Sequence, residues 1–518
     1  MPAPEVVLTW GPVEAAALQK ALRLTNEGFA ERLGSAPRTV AKWHANPNMR
    51  LTLEMQEALD VLLQRAPEEA QARFFLLWGG ARTPTVDDDA MQKWGRRLES
   101  ATALHSALHW LDSRAGEEEG SSFDRVVSYA ASRGSRPRPP AQDAGGARVV
   151  QRLQDFYRPG LDDHGFVHIT VNDRAIPTTM LSHPDWLEVN DQLDDNLEAF
   201  RFDPRTDSLG PTLTPGLREA AEQRLADILV DGTHFVDAQL YRLTEVRAES
   251  SRITARFAAG SFSAYALTWD LLEAEATRAA STSPGNRMPL REQLLPTVAS
   301  VTSPATRLCM GGVLALTAFA RPAAPSHPAD YLMLVQERGD HVVNASRRLA
   351  VIPKCFHEPS GDPTEDAHIR TSLIRELEEE LFGREEVDST IQGFAIADPL
   401  HPSRLTKPMQ WLLNNDAVRL ELTGFGYNLM SGNFEFPALV EVHDERFWPL
   451  HGGAVVANWE AARLRRLSTM DEAGLASLVA DPAWSNEGLF AFVAGLQRLA
   501  QIDPTRVRLP NIEIGVTR

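Results

Sequence analysis

At 518 residues the chain is too long for one small fold and, at roughly 150 residues per domain, divides into several. A hydrophobic share of 43% beside 24% charged residues excludes a wholly disordered chain, because cores can form along most of its length. With 52 Lys+Arg against 70 Asp+Glu the formal net charge is -18, which excludes a global positive field for nucleic acid or acidic lipid, so any DNA contact has to be local. Cys309 and Cys355 are the only cysteines, too few for a disulfide framework and suited to a reducing cytoplasm. The start, MPAPEVVLTWGPVEAA, has no basic segment leading into a long apolar one. Apolar stretches such as Val313 to Ala320 fall far short of a bilayer span, so a cytoplasmic protein with no membrane partner is expected.

In chain order, helices are expected at Pro12 to Leu22, Asn26 to Leu33, Pro37 to His44, Leu53 to Arg65 and Pro67 to Trp78, punctuated by Gly34 and Asn46-Pro47. They make one small helical domain over 1–82. Further helix and then runs of charge, Gly, Ser and Pro fill 83–146, where RGSRPRPPAQDAGG (133–146) reads as a linker. Residues 147–300 are α+β in character: in Arg252 to Phe257, for example, Ile253, Ala255 and Phe257 share one face. Residues 301–460 follow strand, strand, long loop through Gly361-Asp362-Pro363, a charged helix from Ala367 to Phe382, loop and strand, and 461–518 read as helical. No fixed-period repeat is present, which argues against solenoids and propellers. Trp186, Tyr241, Phe257 and Trp269 read as core aromatics, and His105 and His109, four apart, lack an evident third metal ligand.

The stretch LTNEGFAERLGSAPRTVAKWH (24–44) has the layout of a helix-turn-helix. Phe29, Ala30 and Leu33 give the first helix an inward face, Gly34 permits a left-handed turn, and Val40 and Trp43 anchor the second helix. The opposite side of that second helix then offers Arg38, Thr39 and Lys42, with Pro37 at its first turn, while Asn26 is placed to fix register on a phosphate backbone. Thr25-Asn26-Glu27, Ala30, Leu33-Gly34, Thr39-Val40 and Trp43 resemble the lambda-repressor-like, or XRE-type, helix-turn-helix over roughly 60 residues, with departures at Ala36 and His44. The resemblance implies binding of duplex DNA through Asn26, Pro37, Arg38, Thr39 and Lys42. A helical interaction module that never touches DNA is the alternative. Residues 1–80 carry 8 Lys+Arg and 9 Asp+Glu, so non-specific affinity is expected to be weak and the bound form a homodimer or ligand-tuned.

In TSLIRELEEELFG (371–383), Glu376, Glu379 and Glu380 sit at i, i+3 and i+4 of a helix, with Arg375 one turn before Glu379. Clustered carboxylates of this kind suit Mg²⁺ or Mn²⁺, with Arg375 orienting one of them, although a Glu-rich helix also serves as a plain solvated face. Arg375, Glu376, Leu377, Glu379 and Glu380 resemble the helix half of a Nudix box. The loop half departs from it. PKCFHE (353–358) stands where the family has Pro-Gly-Gly-x-x-Glu, putting Lys354 and Cys355 in place of both glycines, and alignment from Gly361 puts Ala367 where a Glu is expected. The resemblance implies that Glu376, Glu379 and Glu380 are metal ligands. A Nudix-like region behind a DNA-binding domain further resembles Nudix-related transcription regulators that sense a nucleotide-type ligand. The other reading is a Mg²⁺-dependent hydrolase of nucleoside diphosphate-linked substrates with an accessory helix-turn-helix. The expected fold class is multidomain: an all-α helix-turn-helix N-terminal domain, then an α+β region that includes a Nudix-like α/β/α fold.

Overall fold

Near the amino end, turn chemistry and apolar spacing set the helices. In α1 (Pro12–Leu22) the Glu14 carboxylate accepts from the Gly11 N–H at 3.0 Å, and Arg23 ends the helix in the left-handed region at φ 58°. Thr25 caps α2 (Asn26–Arg32), its hydroxyl accepting from the Gly28 N–H at 3.2 Å. Gly34, at φ 65°, turns the chain towards α3 (Pro37–Ala45), which Pro37 opens, and α4 (Leu53–Gln64) follows. Phe29, Ala30, Val40 and Trp43 meet Leu18, Leu59 and Phe74 in one buried core. Trp10 lies over Phe74 and donates its indole N–H to Asp60 at 2.7 Å.

The computed structural model describes residues 10–46, 49, 51–67, 69–71, 73–74, 88–133, 146–193, 198–204, 210–233, 235–249, 251–281, 287–325, 327–339, 348–384, 400–458 and 461–517. Two compact units divide the chain, Met1–Trp94 and Gly95–Arg518. The expected helix from Pro67 to Trp78 is helical at 69–71 and 73–74, its last four residues lie outside the described residues, and so do residues 134–145 of the expected linker.

The larger unit is organised by a 12-stranded sheet. Its main path runs β14 (Ala461–Ser468), β8 (Asp330–Arg338), β7 (Gly311–Arg321), β13 (Asn433–Val442), β12 (Gly426–Asn428), β2 (Arg174–Ser182), β1 (Gly165–Val171) and β15 (Ile512–Thr517). At its side, β9 (Leu349–Val351) joins β8, β10 (Lys354–Phe356) joins β7, β11 (Val418–Leu422) joins β13, and β3 (Asp191–Gln192) joins β11. A second, three-stranded sheet has the order β4 (Phe200–Phe202), β6 (Arg252–Ser261), β5 (Gln239–Glu249). Strands β7 and β13 run parallel, from Phe434 opposite Gly311 to Val442 opposite Phe319. Both are buried almost throughout, which accounts for the apolar run of β7, whereas β13 buries Asn433, Glu435 and Glu441 among its apolar residues. The helix Asn486–Ile502 covers one face, packing Phe492, Leu496 and Leu499 on Leu314, Leu316 and Leu439. Gly495 permits the close approach, since a Cβ there would stand 2.9 Å from the Cβ of Leu316.

That sheet corrects the expected fold class. Strands from 165–182, 311–356, 418–442 and 461–517 are pooled in one structure, and the chain is a mixed one, 46% helical and 24% strand. It is not an all-α helix-turn-helix domain followed by an α+β region with its own Nudix-like α/β/α fold. The physical reason is that periodicity reports which face of a strand is buried, not which strand lies beside it. The pairing of β1 with β15 joins Phe166 to Thr517 across most of the unit. Residues from 461 onward, expected to be helical, supply β14 and β15 as well as the helices Glu472–Val479 and Asn486–Ile502. No helix among the described residues is long and apolar enough to cross a membrane.

Candidate functional site

On α3 the two sides divide cleanly. Val40 and Trp43 are buried, Pro37, Arg38 and Lys42 are exposed, and Thr39 is half-buried. Asn26 is half-buried at the first position of α2 and is held by a residue that the sequence gives no reason to notice. The buried Gln19 of α1 donates from Nε2 to Asn26 Oδ1 at 2.9 Å and to the Leu24 carbonyl at 3.2 Å, while its Oε1 accepts from His44 Nε2 at 2.8 Å. One amide therefore ties the start of α2 to the end of α3 and sets the face that carries Arg38, Thr39 and Lys42.

The carboxylate helix differs from its sequence reading. It is α-helical over Ile369–Glu376 and continues as a π-helical turn, Leu377–Leu381. No solvated face results, because Arg375, Glu376, Glu378, Glu379 and Glu380 are all buried. Buried charges persist only when paired or hydrogen-bonded, and here they are. Arg375 donates from Nη2 and Nε to Glu376 Oε1 at 2.7 and 3.2 Å, and its Nη1 lies 3.1 Å from Glu358 Oε1. Burial works against the Arg375 cation, but the Glu358 and Glu376 carboxylates outweigh it and hold its pKa well above the ordinary guanidinium value. Glu378 accepts from the Thr406 N–H at 2.9 Å and from the Thr406 hydroxyl at 2.6 Å. Glu380 accepts from the Lys354 N–H at 3.4 Å.

Glu376 and Glu380 thus take different partners, Arg375 and the Lys354 N–H. Among the described residues no three acidic, His or Cys side chains are grouped to hold a metal ion. Glu376 Oε1 is taken by Arg375 and Glu380 Oε1 by a backbone donor, which leaves these two carboxylates fewer oxygens for the near-octahedral array that Mg²⁺ or Mn²⁺ needs. Arg375 holds the Glu376 carboxylate in that ion pair. Its second partner, Glu358, ends the PKCFHE stretch, and its place in Pro-Gly-Gly-x-x-Glu was the available signal. Lys354 and Cys355, in place of the glycines, form β10 opposite Leu314 and Val313. The loop beyond is anchored by the buried His357, which donates from Nε2 to the Ala367 carbonyl at 3.0 Å and accepts from the Ser372 hydroxyl at 2.8 Å; burial pushes its pKa down to about 3.

A second buried charge group lies next to β10. Lys354 Nζ stands 2.5 Å from Glu487 Oε1, and Asn428 Nδ2 donates to Glu487 Oε2 at 3.2 Å. Burial works against the Glu487 carboxylate, yet Lys354 holds its pKa below the ordinary range. Glu435 is pushed well above that range by burial, with the Glu487 charge adding and Lys354 opposing. A folded-state pKa above the unfolded one gives stability that is present below the unfolded value and lost as pH rises through the folded one. Glu435→Gln is therefore expected to flatten the fall in stability above about pH 4.5, a fall of about 1.4 kcal/mol per pH unit within that window. Urea titrations from acid to neutral pH check this, and parallel curves for the two proteins would remove Glu435 as the cause.

Compared with protein-family models and with curated proteins, the sequence matches none.

Proposed function

We propose that this protein is a sequence-specific transcription regulator in which α3 reads duplex DNA and the larger unit senses a nucleotide-type small molecule that alters operator affinity. The observation that carries the reading is the two-sided α3: Val40 and Trp43 are buried behind it, Arg38 and Lys42 are exposed in front, and Gly34 supplies the left-handed turn before it. Arg is suited to bidentate contact with guanine, Thr39 to a hydroxyl or methyl contact, and Lys to a phosphate. The near balance of charge over residues 1–80 supports a homodimer, in which two weakly binding faces gain avidity.

Support for sensing over hydrolysis comes from the carboxylate helix. The residues that resemble the helix half of a Nudix box hold a buried ion-pair group around Arg375 rather than a metal-holding group. Arg38→Ala is expected to cost about 1–3 kcal/mol of operator affinity and to relax base choice, whereas Lys42→Ala weakens binding evenly across sequences and lowers its salt dependence. Mapping of bound genomic sites followed by anisotropy titrations across a salt series tests both. Unchanged binding in the two variants would reject this reading face.

A further inference from the structure

The 12-stranded sheet ends at β14, whose one pairing among the described residues is with β8. Three of its 8 residues are arginine, and it is partly or fully exposed along its length, unlike β7 and β13. The Thr469 N–H donates to the Tyr331 carbonyl at 3.0 Å, and from that pair the antiparallel alternation turns the N–H and C=O of Leu467 and Arg465 towards β8 as well. Those of Leu464 and Arg466 therefore point away from β8, and no backbone group among the described residues meets them.

An open edge of this kind is a template for another strand, and the side chains along it decide which strand is accepted. Alternation puts Arg463 and Arg465 on one face and Leu464 and Arg466 on the other. Arg465 is paired with Asp481 at 3.5 Å and Glu337 at 3.7 Å, but Arg463 is exposed and meets no carboxylate among the described residues. Arg466 is exposed too; its Nη2 donates to the Val455 carbonyl at 3.2 Å, and its guanidinium lies 5.6 Å from the Trp448 ring centre. The segments that carry Trp448 and Val455 also carry the exposed Leu450 and Val456, at 63% and 60%, and so bring apolar surface next to this edge. A second copy of the chain is a poor occupant, because antiparallel pairing of two β14 strands about their middle sets Arg463 opposite Arg466.

We infer that β14 accepts an acidic, extended peptide segment of a partner protein as a further strand of the sheet. Main-chain hydrogen bonds to Leu464 and Arg466 hold the segment, carboxylates on one of its faces meet Arg463, and apolar side chains on the other lie along Leu464. In a chain of net charge -18, two exposed arginines without a carboxylate are a local exception that selects an acidic partner and turns away a basic one. This docking is independent of DNA binding by α3.

Fluorescence anisotropy of a labelled peptide alternating Glu with Val, titrated with the intact chain, tests this, with the Lys/Val counterpart and a single-stranded oligonucleotide as controls. The Glu/Val peptide is expected to bind, and the Lys/Val peptide at least about tenfold more weakly. Arg463→Glu, at an exposed position, should fold, and with Arg466→Glu added the affinity for the Glu/Val peptide should drop at least about tenfold. Leu464→Pro removes an outward N–H and spares the ladder to β8, so it should abolish binding where Leu464→Ala keeps most of it. Hydrogen exchange should slow at the Leu464 and Arg466 amides on saturation with peptide, because strand addition gives those N–H groups an acceptor. No binding of the Glu/Val peptide, equal binding of the Lys/Val peptide, binding of the oligonucleotide in its place, or binding without slowed exchange at these two amides overturns the proposal. The arginines would then serve only to guard the edge against sheet-to-sheet aggregation.

Discussion

Arg375→Met is expected to destabilise the larger unit by about 3–5 kcal/mol, the usual cost of removing one partner from a buried ion pair. Methionine keeps much of the side-chain volume, so the loss reports charge more than cavity. Arg375 is 3% exposed and is the cation paired with both Glu358 and Glu376, so its removal leaves the buried Glu376 and the half-buried Glu358 without their shared counter-charge. Those carboxylates would then favour protonation, and a raised folded-state pKa confers stability that is lost as pH rises. The deficit should therefore be larger near pH 8 than near pH 5. Adding Glu376→Gln should recover part of it by removing one of the repelling charges. Urea unfolding of the single and double variants at both pH values measures this. A deficit below about 1 kcal/mol at either pH would mean that the pair behaves as a solvent-exposed one.

The same residues show what the sequence could and could not disclose. The helices at 12–22, 26–32 and 37–45 lie where capping residues and apolar spacing put them, because those signals act within a few residues. Gln19 was invisible for the opposite reason. A glutamine on an apolar helix face reads as an interruption until Asn26 and His44 are brought to it. The strand β7 was legible as an apolar run, but nothing local announces that it pairs in parallel with β13 or that β15 closes on β1. The Glu-rich helix misled in a more instructive way. Charge runs are normally solvated, and this one is buried because Glu358, Thr406 and Lys354, all from outside the helix, supply the missing partners.

Trp43→Ala is expected to cost about 3–5 kcal/mol, as for other large aromatic truncations in a core. Trp43 is buried with Phe29, Ala30, Leu33 and Val40, so the ring holds α3 against α2 from behind the face that carries Arg38 and Lys42. A unit this small has only a modest margin of stability, so such a loss takes a large fraction of it. The larger unit keeps its own core around Leu316, Leu439 and Phe492, which do not depend on Trp43. Thermal unfolding of the variant should therefore show an early transition from residues 10–74, and hydrogen exchange should lose protection in α2 and α3 while β7 and β13 remain protected. Operator affinity should fall with the folded fraction of the first unit, and Trp43→Phe should restore most of both. If DNA were still bound at a temperature where α3 has lost its protection, recognition would have to lie elsewhere in the chain, because an unfolded α3 cannot present Arg38 and Lys42 in fixed register to a groove.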